Sequence, residues 1–166
     1  MLKIAAITAL SIFALMPGRG DAAVRSDCPI ENSAYSLRLD PTIVARFVKI
    51  SKVPGLPSDL AFEVTWHKDD TTFWYTFDKG TAVYISMVSI SDPTAPGYIP
   101  PVQDTVKRPH GDMQYLALQG DLSFDDSLPK SGMKAPKLIL MPRFPEIQLR
   151  QSPSAHSFFE LSSCSK

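Results

Sequence analysis

The sequence holds two cysteines, one asparagine, three histidines and eight glycines in 166 residues, and each scarcity excludes something. Two thiols alone do not complete a structural zinc site. The single asparagine, Asn32, precedes Ser33 and Ala34, so the chain has no N-glycosylation sequon. Phosphate loops and dinucleotide-binding turns need closely spaced glycines, and no such pattern is present. The Gly-x-Ser-x-Gly elbow of the α/β-hydrolases is missing as well. Charge of one sign is also lacking: 17 basic residues stand against 17 acidic ones, with no basic run. That leaves no electrostatic footprint for nucleic acid. After the first 22 residues no apolar stretch is long enough to cross a bilayer as a helix.

Those first residues, MLKIAAITALSIFALMPGRGDA, read differently from the rest. Lys3 supplies a positive start, residues 4–16 are apolar or small, and Pro17-Gly18 breaks the run. Gly20-Asp21-Ala22 places small residues at the positions a signal peptidase reads. The expectation is a secretory signal peptide over residues 1–22, followed by one exported domain over residues 23–166. Without Lys3, Arg19 and Asp21 the remainder carries 15 basic and 16 acidic residues. The expected location is a periplasm or the outside of the cell, with no stable membrane insertion after cleavage.

The two cysteines, Cys28 and Cys164, lie near opposite ends of that domain. In an oxidising compartment such a pair bonds. A bond would bring the two ends of the domain within about 7 Å of each other at the Cα atoms.

Against these scarcities stand 15 prolines, spread along the chain. Proline inside a helix costs about 3 kcal/mol, so long helices are hard to place. Between the prolines lie short runs rich in Val, Ile, Phe, Tyr and Thr, which read as strands separated by turns. The clearest is Leu60–Trp66. There Leu60, Phe62, Val64 and Trp66 alternate with Ala61, Glu63 and Thr65, the period of a half-buried strand. Further strands are expected over residues 35–39, 114–119, 137–141, 146–150 and 157–162. Residues 42–50 fit a helical stripe after Asp40-Pro41 but are β-branched, and read as a strand. Two long connections, 91–112 and 125–136, are rich in proline or polar residues. These features predict an all-β fold: an antiparallel two-sheet sandwich, with a small closed barrel as the alternative.

Residues 71–90, TTFWYTFDKGTAVYISMVSI, read as a hairpin turning through Asp78-Lys79-Gly80. A three-residue loop sets Phe77 opposite Thr81, Tyr75 opposite Val83 and Phe73 opposite Ile85, giving an apolar face with Met87. The other face then sets Trp74 opposite Tyr84, Thr72 opposite Ser86 and Thr76 opposite Ala82. Two uses of that second face are open. The proline-rich loop covers it through Tyr98, Ile99 and Val102, or it is a recognition surface anchored by its aromatics. The candidate binding residues are Trp74, Tyr84, Thr72, Thr76 and Tyr98.

Groups for chemistry are sparse. His67 with Asp69, and His110 with Asp112, lie in two turns that meet if both are at one end of the fold; they are a weak alternative metal site. Neither spacing is a ligand signature, and no cofactor is implied. Glu63 with Glu160 can be imagined as a glycosidase pair, but Glu63 reads as a solvated carboxylate. Residues 121–126, DLSFDD, lack the spacing and terminal glutamate of a calcium loop. The expected function is an exported non-enzymatic binding domain for a protein or a cell-envelope component, inhibitor-like or immunity-like. The alternatives are a small metal-dependent hydrolase using His67 and His110, and a structural subunit of an envelope assembly.

Overall fold

The computed structural model describes residues 27–50, 56–79, 83–99, 108–144 and 158–165. The expected signal peptide, the expected strand over residues 146–150, Val102 and residues 80–82 of the hairpin turn lie outside these. Among the described residues nine strands form: β1 (Ser33–Leu37), β2 (Ile43–Lys49), β3 (Leu60–Trp66), β4 (Thr71–Asp78), β5 (Ile85–Ile90), β6 (Asp112–Leu118), β7 (Phe124–Asp125), β8 (Leu138–Leu140) and β9 (Phe158–Cys164). A short 3₁₀ turn, Ile30–Asn32, precedes β1.

Every pairing is antiparallel. The order runs β1–β2–β3–β4–β5–β6–β8–β9 and returns to β1, so one sheet closes on itself as a barrel of eight strands. β7 is an appendage on β6. The closed barrel therefore forms and the two-sheet sandwich does not. The deciding contact is β5 with β6, where Ile85 pairs with Tyr115 and Met87 with Met113. The long 91–112 connection does not carry the chain into a second sheet. It returns it to the neighbouring position in the same one, and closure removes the sheet edges that a sandwich leaves open.

Strand alternation decides what fills the barrel. Tyr35, Leu37, Ile43, Phe47, Phe62, Val64, Tyr75, Phe77, Met87, Tyr115, Ile139 and Phe159 are all buried. Their rings interlock: Phe47 lies 4.9 Å from Phe62 edge-on, Phe77 lies 5.0 Å from Tyr115, and Phe144 lies 5.6 Å from Phe159. An aromatic pair of this kind adds about 0.5–1.5 kcal/mol beyond its buried area. The phenol of Tyr35 donates to the Pro136 carbonyl at 3.1 Å, which meets the polar need of a buried tyrosine. Burial pushes the Tyr35 and Tyr115 phenols up. Among the described residues the barrel interior is thus built of side chains. The outward positions carry Arg46, Glu63, Thr65, Thr72, Gln114 and Glu160. Apolar inside and charged outside is the reverse of a lipid-facing barrel.

Cys28 and Cys164 are joined, with Cα atoms 5.9 Å apart. The bond fits a non-reducing compartment. Beside it, the 125–136 connection folds across one end of the barrel. Ser58 Oγ donates to the Pro129 carbonyl, Ser131 N donates to Asp59 at 3.0 Å, and Gly132 N donates to Glu31 at 2.8 Å. Ile30 N donates to the Met133 carbonyl and Ala135 N to the Cys28 carbonyl, both at 2.8 Å. These bonds hold the connection against that end of the barrel.

Candidate functional site

The register of β4 with β5 corrects the sequence reading. Phe77 pairs with Met87, Tyr75 with Ser89 and Trp74 with Ile90. Phe77 therefore meets a partner six residues beyond Thr81, through a wider connection than the three-residue loop. Because that offset is even, Phe73, Tyr75, Phe77, Ile85 and Met87 still face the core. Val83, expected opposite Tyr75 on that face, instead precedes β5 and is exposed. Trp74 and Tyr84 are no longer opposite each other. Tyr84 lies before β5.

The five candidate binding residues consequently fall in three places. Trp74 and Thr76 point outward from β4 yet are 9% and 2% exposed. Trp74 belongs to a second, smaller core outside the barrel, with Ile50, Ala61 and Ile90, and Val48, Leu56 and Tyr98 pack against it. Tyr98 supplies the expected loop contact, while Ile99 is exposed. The Tyr98 hydroxyl and Thr76 Oγ1 are buried and have no hydrogen-bond partner among the described residues, and burial raises the Tyr98 phenol pKa. Thr72 is exposed, its hydroxyl 3.5 Å from that of Thr65. It borders a shallow groove of about 410 Å³ on the outer face of β1 to β4, lined by Val44, Arg46, Glu63, Thr65 and His67. Arg46 and Glu63 neutralise each other on its floor.

His67 and His110 lie in turns at the same end of the barrel, and among the described residues they build no metal cluster together. The His110 ring meets Phe73 edge-on at 5.2 Å, and its backbone N–H donates to Ser89 Oγ at 2.8 Å. Burial lowers the His110 pKa. Asp112 accepts from Arg108 at 2.9 Å. Asp69 is exposed in the β3–β4 turn. Among the described residues, no three His, Cys, Asp or Glu side chains come together to hold a metal ion. Glu63 and Glu160 also stand apart: β2 and β1 lie between their strands, three spacings of about 4.8 Å or roughly 14 Å in all, too far for a glycosidase pair. Glu160 is further held by Arg38 at 3.0 Å and Lys137 at 3.4 Å.

A different feature stands out at the opposite end. Six large apolar side chains are exposed among the described residues, and four of them gather there: Val83, Tyr84, Leu122 and Phe124. The topology brings them together. β8 takes one edge of Ala117 and Leu118, so β7 takes the other, the edge that β5 uses at Asp112 to Tyr115. Val83 and Tyr84 therefore enter β5 beside the hairpin that carries Leu122 and Phe124. Lys79, just after β4, donates to the Asp126 carbonyl at 3.3 Å and ties the two connections.

The β6–β7 hairpin is tightly held. Gln119 N donates to the Ser123 carbonyl at 2.9 Å and Leu122 N returns to the Gln119 carbonyl at 3.0 Å. Asp121 accepts from the Ser123 amide and hydroxyl, which keeps its carboxyl below the usual range. Asp125 accepts from the Gln119 side chain at 2.8 Å and from Ser127 N at 2.9 Å. Within this frame Leu122 has φ 65°, a left-handed backbone that leucine rarely adopts. Its side chain is 63% exposed, as is that of Phe124; Val83 is 93% exposed and Tyr84 52%.

Sequence reasoning examined DLSFDD for its carboxylates and passed over the apolar residues between them. The available signal was Leu122 and Phe124 alternating with acids in a turn, where apolar side chains have no core to enter. No protein-family model, curated protein or solved structure matches the chain.

Proposed function

We propose that this chain is an exported, non-enzymatic binding domain that recognises a protein or cell-envelope component through the barrel end bearing Val83, Tyr84, Leu122 and Phe124. The observation that carries the reading is that four of the six large apolar side chains exposed among the described residues lie at one end. Contiguous exposed apolar surface on a soluble fold marks an interaction site more often than a passive one. Aromatic anchors at interfaces carry a large share of binding energy. The interior does not compete for this role, since aromatic side chains fill it. Export rests on the disulfide and on the signal-like first residues. An inhibitor-like or immunity-like protein is a concrete form of this reading: a rigid scaffold that presents one projecting hairpin.

The test compares the wild type with a Leu122→Ser, Phe124→Ser variant, after circular dichroism shows both equally folded. A protein captured from envelope extract by the wild type and lost by the variant supports the reading. Equal capture moves the site to the groove lined by Arg46, Glu63 and Thr72. Self-association of the wild type in sedimentation, abolished in the variant, points instead to a subunit of an assembly.

A further inference from the structure

Resting on that reading, we infer that the partner is a protein whose apolar pocket is rimmed by lysine or arginine. The argument is charge complementarity. Leu122 lies between Asp121 and Ser123, and Phe124 between Ser123 and Asp125, with Asp126 following. Three carboxylates therefore interleave with Leu122 and Phe124 along one hairpin. Residues 119–126 hold three carboxylates and no lysine or arginine, a local charge of −3 although the whole chain carries equal numbers of acidic and basic residues. Of the neighbouring lysines, Lys79 is engaged with the Asp126 carbonyl, Lys134 acts on Asp121, and Lys137 pairs with Glu160.

The acids are not spare surface. Asp121 holds the hairpin through one oxygen and Asp125 through both, and Asp126 is exposed. A partner approaching Leu122 and Phe124 meets these charges at the rim of the contact. There they steer encounter and select against acidic surfaces. The same ring argues against a lipid surface as the occupant, because anionic headgroups repel carboxylates and draw in lysine and arginine instead. An apolar pocket without basic residues could take Leu122 and Phe124, but it would leave the carboxylates facing an unmatched surface.

A phage-displayed library of random 12-residue peptides, panned against the full disulfide-bonded protein at low salt, tests this. Two variants serve as controls: Leu122→Ser, Phe124→Ser, and Asp121→Asn, Asp126→Asn. Asp121 accepts from the Ser123 amide and hydroxyl through one oxygen, which asparagine keeps, and Asp125, which uses both oxygens for Gln119 and Ser127, is left in place; the second variant removes charge and spares the turn. The expected result is enrichment of peptides that pair an aromatic or aliphatic residue with lysine or arginine. These peptides should bind neither serine variant, bind the asparagine variant at least about tenfold more weakly, and weaken steeply with salt. Tip-dependent peptides without basic enrichment, or equal affinity for the asparagine variant, overturn the charge inference and leave the docking end standing. Peptides that bind the serine variant as well as wild type, or no selected peptide at all, overturn both.

Discussion

Phe62 is fully buried where β3 crosses the middle of the barrel, with Tyr35, Phe47, Phe77 and Phe159 around it. Replacing it by alanine removes one partner from four ring contacts and leaves a void in a closed sheet that cannot collapse freely. A loss of about 3–5 kcal/mol is expected, read as a lower denaturant midpoint at unchanged slope. Trp74 makes a spectroscopic prediction. In a Trp66→Phe background its emission should be blue-shifted and slow to quench with acrylamide, and Tyr98→Ala should speed the quenching. Fast quenching before that change would remove the outer core. His110 makes a pH prediction. Burial lowers its pKa below the ordinary value of about 6.5, so the unfolded chain binds its proton more readily than the native one. The corresponding stability is therefore complete above about pH 6.5 and is lost as pH falls from there toward the lower native value. His110→Gln should flatten the melting temperature across that window; an unchanged slope would assign the pH dependence to other groups.

At the scale of elements, periodicity served where a strand is long and half-buried. Leu60–Trp66 has the bounds that its alternation predicts, with Leu60, Phe62 and Val64 buried. Ala61 departs from the pattern: it points outward and is still buried, because the Trp74 cluster covers that part of the outer face. Alternation has no access to such a cover. It also gave no register for β4 with β5, since every even offset keeps the same faces. β7 spans two residues and has no period to read. The hairpin it completes was invisible as an element and visible only as apolar residues out of place. Its strain is testable. Leu122→Gly removes the Cβ clash of the left-handed backbone, worth roughly 1 kcal/mol before the entropy that glycine loses. The melting temperature should hold or rise while partner binding falls, a separation of stability from function that a merely structural turn would not show.

The whole molecule is a ring closed twice, by hydrogen bonds between β5 and β6 and by a covalent bond between Cys28 and Cys164. Barrel and sandwich were both open to the sequence because inward and outward alternation is identical in the two. What separates them is a pairing across the 91–112 connection, which no local pattern encodes. The disulfide was legible because the chain has one pair of cysteines. Its sequence separation is 136 residues, and chain-entropy reasoning puts its stabilisation at about 5 kcal/mol. Cys28→Ala, Cys164→Ala should lower the denaturant midpoint by a corresponding amount. The same bond governs how the domain responds to mechanical load. Tension drawn through the chain on either side of the cysteine pair passes directly from one sulfur to the other, and the barrel hangs beside the line of force as slack. In a single-molecule pulling experiment the oxidised protein should show no unfolding step. After reduction the strands become part of the tether, and rupture should release roughly 450–490 Å of extended chain from those 136 residues. A domain wired this way keeps its hairpin in shape while the chain that holds it is under strain.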